Sequence, residues 1–516
     1  MDCKSSKCNT LMLVISILSY RFWLVTYYLM GVVSLLALTV KSSVAITTQT
    51  IGLINGTAPY LTFDEGATKL YTTEKFLNIK LSDDSEILST KDESSEANPI
   101  VLSGSSNTFA SIKTSVPLST EGNEDYPSIT LGSLITGSNN YWGDDDGDNE
   151  VTTAGTVNVK WQTVDGIDVT KVVKNDPSKQ FDGCDSPYKL TLTVVDGSLS
   201  TKYGIPSKTD FTDKSHSYYI TQNSSQPKVC YAQPNISIDS STSDKETRDR
   251  WVNGTPLKDL DGPDWVASKG FVPQNINNPI KNFPTTGSNN LRFYLLLDGI
   301  SPSDVVAANG ETVSSEIGGN VKLALSSTKT PGWGNTSKRV ALQIVLQGPS
   351  KNSNDKSFTP MTFKLYSDRA KSNLLYSFRL ERWFISLGAR TYMRQSRAEE
   401  LCKEMNYRLP YVSDFTNTSY KSGNNRVNWS GGIPNRNINN YRRQLSYKDE
   451  NDKWIGGLLN EWGKVWSSTG NYPNSDWPLQ HSDDWFWTSD RNYTIDAGEG
   501  AIDPSSSSYQ GACVYP

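Results

Sequence analysis

The stretch VNVKWQTVDG at residues 157–166 decides the fold class, and YKLTLTVVDG at 188–197 repeats its pattern. Apolar and polar residues alternate in both, which is the period of a strand with one buried face. Each stretch ends in an Asp-Gly pair, Asp165-Gly166 or Asp196-Gly197, and such a pair after alternating hydrophobic residues favours a tight turn. The two stretches therefore predict antiparallel β-structure with a turn at each pair.

Strand signals continue downstream at regular spacing. Further strands are predicted at 292–297, 320–325, 339–346 and 361–366. Short strands separated by Gly, Asn and Pro are typical of immunoglobulin-like β-sandwiches. We therefore expect a mainly β chain with one sandwich at 151–270 and an immunoglobulin-like domain at 271–380.

Upstream of these strands the chain is acidic. Residues 46–150 hold 17 acidic side chains against five lysines, a net charge of −12, and are rich in Ser, Thr and Asn. This composition predicts a solvated spacer or a weak β-domain. The run 144–150 that ends it is expected to be a solvated turn, with Ca²⁺ binding as the alternative, although its Gly is misplaced for an EF-hand.

The first 45 residues have the pattern of an export segment. Lys4 and Lys7 precede an apolar run, Arg21 interrupts it, and a second apolar run covers 22–40 before the small residues 43–45. This order is typical of a signal peptide. The alternative is an uncleaved membrane anchor, since the 19 residues from Phe22 to Val40 can just span a bilayer. Either way, we expect the rest of the chain to be exported, to the cell surface, outer membrane or extracellular space.

A compact, aromatic-rich domain is expected at 381–516, because eight of the 14 Trp residues follow residue 380. Ser396 and Glu399 fit a capping box that begins a helix. Ala398, Leu401, Cys402 and Met405 then form one apolar helix face. Asn406 is suited to the left-handed conformation that ends a helix.

Several short motifs share the order of a known family. They are WF at 383–384, AEELC at 398–402, YRLP at 407–410, NEWG at 460–463, GNYP at 470–473, WTS at 487–489 and the terminal Cys513. Together they resemble the C-type-lectin-like domain that ends invasin/intimin-like adhesins of bacteria. Upstream, NFPTTG at 282–287 and LRFYL at 291–295 resemble an immunoglobulin-like adhesion repeat of the same proteins.

This resemblance implies a bacterial cell-surface adhesin that contacts a glycan or protein receptor on a host cell or another bacterium. It also implies a bridge between Cys402 and Cys513. Three departures stand against it: residues 417–453 look like an insertion, Tyr411 occupies a position that is usually small, and the outer-membrane barrel of larger members is not found.

The cysteines indicate disulfides. Four lie beyond the export segment, at Cys184, Cys230, Cys402 and Cys513, and an even count in an exported chain favours bridges with three possible pairings. Spacing favours Cys184 with Cys230 and Cys402 with Cys513. With two His and no CxxC pair, a structural zinc site is not expected.

Catalytic signatures are missing from the sequence. It has no Gly-x-Ser-x-Gly elbow and no phosphate-binding glycine loop after a strand, and His216 and His481 lie in polar stretches. The sugar-binding tripeptides of Ca²⁺-dependent lectins are also absent from the terminal domain. We therefore expect a non-enzymatic protein that needs no cofactor or metal and does not bind nucleic acid.

The best candidates for ligand contact lie in and after the insertion, because Tyr, Trp and Arg dominate binding hot spots. They are Arg436, Tyr441, Arg442, Arg443, Trp477 and Trp485. We expect Tyr441, Tyr447, Trp477 and Trp485 to be exposed. The alternative is a solvated loop on a structural envelope protein that has no specific ligand.

Overall fold

The computed structural model describes residues 56–104, 107–137, 140–222, 226–236, 251–252, 255–333, 338–388, 392–467, 471–478, 485–490, 493–505 and 508–515. Strands far outnumber helices over these residues, so the predicted mainly β fold is confirmed. The predicted export or anchor segment at 1–45 lies outside them. Among the described helices, none is both long and apolar enough to cross a membrane.

The first hydrophobic core lies within residues 57–222. Its strands are β1 (Tyr60–Leu61), β2 (Ile79–Lys80), β3 (Glu86–Ile87), β4 (Ile100–Leu102), β5 (Ser128–Thr130), β6 (Trp142–Gly143), β7 (Thr152–Gln162), β8 (Tyr188–Ser200), β9 (Lys208–Asp210) and β10 (Lys214–Gln222). Its helices are α1 (Leu131–Ile135) and α2 (Thr170–Asn175), with 3₁₀ turns at Glu74–Leu77, Phe109–Ser111, Ser119–Glu121 and Gly183–Asp185. The main sheet has the order β4-β10-β8-β7-β5, with β9 paired to β8.

The two stretches that decided the fold class pair with each other, because β7 and β8 are antiparallel neighbours. Asp165-Gly166 turns as predicted, with Gly166 at φ +73°. The turn predicted at Asp196-Gly197 is wrong, since β8 continues through it. Asp196 has φ +54°, and the register with β7 shifts opposite it, between Ala154 and Thr156. The pair therefore forms a β-bulge, which uses the same left-handed conformation without reversing the chain.

The second core begins with a seven-stranded sheet of order β14-β15-β11-β17-β20-β19-β18. The strands of this part are β11 (Lys228–Pro234), β12 (Trp251–Val252), β13 (Thr255–Pro256), β14 (Trp265–Val266), β15 (Gly270–Phe271), β16 (Thr286–Ser288), β17 (Arg292–Asp298), β18 (Thr312–Ser314), β19 (Lys322–Lys329), β20 (Val340–Gln347), β21 (Met361–Tyr366) and β22 (Leu374–Leu380). Helix α3 covers Pro302–Asn309, with 3₁₀ turns at Leu257–Leu260 and Pro279–Lys281. The β21-β22 hairpin packs on this sheet, where Phe293 meets Phe378 at 5.7 Å between ring centres.

The last quarter of the chain, from Arg382, has short strands and three helices among its described residues. The strands are β23 (Arg382–Ser386), β24 (Tyr420–Lys421), β25 (Asn428–Trp429), β26 (Tyr447–Lys448), β27 (Trp454–Ile455), β28 (Trp485–Trp487), β29 (Tyr493–Asp496), β30 (Ile502–Pro504) and β31 (Ala512–Val514). The helices are α4 (Gln395–Glu404), α5 (Val412–Phe415) and α6 (Leu458–Trp462). The buried strand β23 lies between β16 and β31, so this part shares one hydrophobic core with the preceding sheet.

The predicted amphipathic helix is present as α4, with Ala398 and Cys402 buried and Asn406 at φ +61° just beyond its end. The predicted capping box is wrong. Arg394 occupies the N-cap position without a side-chain bond, and Ser396 lies inside the helix. Glu399 instead pairs with Lys403 one turn later, at 2.7 Å, an i,i+4 pair of the kind that supports a helix.

Both favoured cysteine pairs form disulfides, Cys184–Cys230 and Cys402–Cys513. Cys184 lies in the 3₁₀ turn that precedes β8 of the first sheet, whereas Cys230 lies on β11 of the second sheet. The first core includes residues on both sides of the domain boundary predicted at 150/151. The seven-stranded sheet spans the boundary predicted at 270/271, and the pairing of β16 with β23 spans the one predicted at 380/381. The division into domains stays a prediction.

Candidate functional site

A buried carboxylate joins distant segments of the second core. Glu461 of α6 is fully buried and accepts bonds from the backbone and hydroxyl groups of Thr285 and Thr286, at 2.6 to 3.0 Å. The backbone N–H of Ser446 donates a fifth bond at 2.9 Å. A buried charge needs such bonds in place of its lost hydration. The carboxylate therefore fixes β16, α6 and the residue before β26 relative to one another.

Arg443 links the predicted insertion to the chain 180 residues upstream. Its guanidinium is buried and donates to the carbonyl oxygens of Glu461 and Ile236, at 2.6 Å each. It also lies over the ring of Trp265, 4.7 Å from the ring centre, where cation–π attraction adds to the hydrogen bonds. The backbone N–H of Arg443 donates to Leu260 at 2.7 Å. The insertion is thus held against residues 260–265.

The other two arginines of the insertion also bind this chain. Arg442 Nε donates to the Asp261 carbonyl at 2.6 Å. Arg436 donates to the Asn440 carbonyl and, at 3.4 Å, to that of Asp259. Burial, together with the nearby charge of Arg442, lowers the pKa of Arg436 to about 10. Much of the hydrogen-bonding capacity of these arginines is therefore used within the molecule.

A second buried charge cluster lies beneath Trp454. Arg382 on β23 pairs with Asp414 at 3.1 Å and donates to the Gly456 carbonyl at 2.7 Å. Arg408 pairs with the other oxygen of Asp414. Burial acts to raise the pKa of Asp414, but the bond from Arg408 and the charges of both arginines outweigh it and hold the pKa below its usual value. The Arg382 guanidinium lies 4.4 Å from the centre of the Trp454 ring, which limits the positions of the indole.

These two clusters frame an open cleft of about 580 Å³, called here the Trp454 cleft. One wall is formed by Pro263, Asp264, Gln274, Ile280 and Lys281, and the other by residues 444–448 and Trp454. The volume lies within the usual range of small-ligand sites, roughly 300 to 1,000 Å³. Because the walls come from distant segments held by buried bonds, the cleft is formed before any ligand arrives.

The Trp454 cleft is lined by charged, aromatic and neutral polar groups. Asp264 is partly buried, and its burial raises the pKa of its carboxyl despite the nearby backbone N–H of Leu445 and the charge of Lys281. Burial likewise raises the pKa of Tyr447. Lys281 and Lys448 are exposed, one on each wall. The cleft thus combines two aromatic rings, two cations, one carboxyl group and several neutral polar groups.

The structure separates the six predicted contact residues from this cleft, since none of them lines it. The expected exposure of Tyr441 and Trp477 is wrong, because their side chains are only 1% and 2% accessible. Trp477 donates from its indole N–H to Ser288 at 3.0 Å and packs against Phe486. Trp485 is partly exposed, as are Arg436 and Arg442.

Of the residues that line the Trp454 cleft, only Tyr447 was among those expected to be exposed, and it is partly exposed. Trp454 was visible as one of the tryptophans of the aromatic-rich region. Asp264 and Lys281 carry no local signal, and they reach residues 444–448 only through folding, as the 181-residue separation between Asp264 and Leu445 illustrates. The frequency of Arg at binding hot spots favoured the arginines of the insertion. In the structure, Arg442 and Arg443 instead donate hydrogen bonds to carbonyl groups of this chain.

No group of three or more His, Cys, Asp or Glu side chains is placed to hold a metal ion in the described part of the chain. In the acidic run, Asp145 accepts bonds from Thr57 and Tyr60 and pairs with Lys69. His216 pairs with Asp92 at 2.9 Å on the first sheet. His481 lies outside the described residues.

Comparison with known proteins returned little. No family model matches the sequence, and no curated protein matches it. The structure has a distant likeness to the crystal structure of invasin, a bacterial integrin-binding protein, with a TM-score of 0.27 and 14% identity. The match covers 72% of this chain and 52% of that one, so the chain spans about half the length of the invasin chain. A TM-score this low establishes neither a shared fold nor a shared function.

Proposed function

We propose that this protein is an exported, non-catalytic binding protein of the adhesin type, which attaches to a glycan or protein receptor on another cell. The Trp454 cleft carries the proposal, because it is a preformed concave site with aromatic and charged walls. Preorganisation favours binding, since less conformational freedom is lost when the ligand is held. The export pattern at 1–45 and the family resemblance of the terminal motifs agree with this function.

The bonds behind the cleft support a binding role for the C-terminal half as a unit. Glu461, Arg443 and Arg382 are all buried and bonded to backbone groups of segments that form or support the walls. These charged groups stabilise the position of the walls, and their bonds leave them committed to the protein itself. The recognising groups are then the partly exposed ones at the surface of the cleft.

The proposal is tested by filling the cleft in the full chain. Gln274 is exposed and lines the cleft, whereas Asn277 is exposed on the same loop and does not. Beads coated with the full chain should bind to cultured host cells or to bacterial cells. Gln274→Trp should weaken that binding about tenfold or more because the indole occupies the ligand volume, and Asn277→Trp should leave it unchanged.

Three outcomes would contradict the proposal. Beads that bind neither cell type would indicate a structural envelope protein without a specific ligand. Equal binding by Gln274→Trp and the unsubstituted chain would exclude the cleft as the contact site. Recovery of the chain in the cytoplasmic fraction would contradict export.

A further inference from the structure

Resting on the proposed function, we propose that the Trp454 cleft binds an acidic sugar residue, a pyranose that carries a carboxylate, at the end of a surface glycan. The proposal names the ligand class of the site. It follows from the arrangement of cations, aromatic rings and neutral polar groups around the cleft.

The cations favour an anionic ligand. Lys281 and Lys448 face the same cleft from opposite walls, and residues 368–450, which include positions 444–448 of the second wall, carry 15 basic against eight acidic side chains. Lys281 is exposed, and its charge acts on the carboxyl group of Asp264 in the same wall. Lys448 pairs with Asp452 at 2.8 Å, but the Asp452 side chain is 81% exposed. Such surface pairs contribute little and can exchange for a ligand carboxylate.

The aromatic rings favour a sugar over a simple anion. Trp454 and Tyr447 lie on the second wall, and both are partly exposed. Arg382 lies against the Trp454 ring from within the protein. A ring held in this way offers an apolar surface to the C–H groups of a pyranose at small entropic cost, because the side chain is already ordered.

Neutral polar groups complete the site. The side-chain oxygen of Gln444 is buried and accepts no hydrogen bond from the described residues. Gln444 lines the cleft, and an amide side chain can exchange hydrogen bonds with ligand hydroxyls. Gln274 lies on the facing wall and Ser446 beside Gln444, whereas Asp264 adds a carboxyl group to the facing wall. Together these groups match a ligand that is rich in hydroxyls and has one negative charge.

The test measures binding of three probes to the full chain by isothermal titration calorimetry. They are 3′-sialyllactose, a glucuronate-terminated disaccharide, and lactose, which has no acidic residue. We expect at least one acidic probe to bind about tenfold or more tightly than lactose. The two acidic probes distinguish a sialic acid from a uronic acid as the source of the carboxylate.

Matched variants connect that binding to the cleft. Lys281→Gln combined with Lys448→Gln should weaken the acidic probe about tenfold or more and remove its preference over lactose. Lys421→Gln combined with Lys453→Gln removes the same charge from exposed positions outside the cleft and should change nothing. Because all four lysines are exposed, these variants are expected to keep the fold.

Some results would overturn the ligand class alone. Equal binding of lactose and both acidic probes, or no binding of any probe by a chain that still adheres to cells through the cleft, would do so while leaving the adhesin function intact. Loss of affinity in the Lys421 and Lys453 variant would also overturn it, since general surface charge would then explain the binding. If the chain adheres to no cell yet binds an acidic probe, the proposed function fails and the ligand class stands.

Discussion

At the scale of single residues, Glu461 shows how a charge can organise this fold. The carboxylate is fully buried and accepts five hydrogen bonds, four of them from Thr285 and Thr286. Each of those donors would be buried without a partner if the carboxylate were absent. The cost of losing such an acceptor therefore exceeds the net contribution of the bonds themselves.

Glu461→Gln tests this role. The amide replaces one acceptor oxygen by an NH₂ group, which would face N–H and O–H donors. We expect the free energy of unfolding of the second core to fall by about 3 kcal/mol, measured by urea denaturation followed by tryptophan fluorescence. Glu400→Gln on the exposed face of α4, where the side chain is 64% accessible, is the matched control and should change stability by less than about 0.5 kcal/mol. Equal effects of the two substitutions would contradict this role.

At the scale of elements, β23 is the strand that joins the two halves of the second core. It is buried along its whole length, parallel to β16 on one side and antiparallel to β31 on the other. Cys513 lies on β31, and its bridge to Cys402 closes a separation of 111 residues between that strand and α4. The bridge therefore supports β23 indirectly, by holding the strand next to it.

The double variant Cys402→Ser, Cys513→Ser should lower the free energy of unfolding by about 5 kcal/mol, the chain-entropy value for a loop of this length. The loosening should reach the neighbouring β16, because β31, β23 and β16 form one sheet. Hydrogen exchange should therefore become faster at Gly287 as well as at Phe384. Faster exchange confined to residues 392–515 would contradict this account and support a separately folded terminal domain.

At the scale of the whole molecule, the Cys184–Cys230 bridge connects the two cores. The two sulfurs belong to a small cluster with Tyr294, Leu296 and Ala341, separate from either main core. Around it, Lys269 pairs with Asp185, and Arg339 lies 3.8 Å from the buried Asp165, so that each pair links the second core to the first. Besides the main chain, the two cores are thus joined by the disulfide, a small apolar cluster and a few ion pairs among the described residues.

Removing this bridge with Cys184→Ser, Cys230→Ser should leave both cores folded, because the cysteines lie outside them. It should allow the cores to move relative to each other, since inter-domain contacts of this small, polar kind permit motion. Small-angle X-ray scattering should then show a larger radius of gyration than for the unsubstituted chain. Lys322→Gln removes one exposed charge from β19, which contributes no residue to the cluster around the bridge, and should leave the radius unchanged. An unchanged radius in the cysteine variant would contradict the tethering role.

The sequence by itself determined the features that depend on near neighbours. The alternation at 157–164 and 188–195 specified strands, because side chains of a strand alternate between faces whatever the partner. The helix face with Ala398 and Cys402 and the left-handed residue Asn406 were also readable, since they rest on contacts within one or two turns. The observed pairing of Cys184, Cys230, Cys402 and Cys513 was the one that their number and spacing favoured.

Only the tertiary structure decided the features whose partners are distant in the chain. Asp196-Gly197 bulges instead of turning because β7 continues alongside it. Trp477 is buried because Ser288, 189 residues away, accepts its N–H. The insertion arginines bind carbonyl groups upstream, and the Trp454 cleft exists only where segments 263–281 and 444–454 meet. The physical reason is that local sequence sets the conformation of a segment, whereas burial and hydrogen bonding depend on which other segments fold against it.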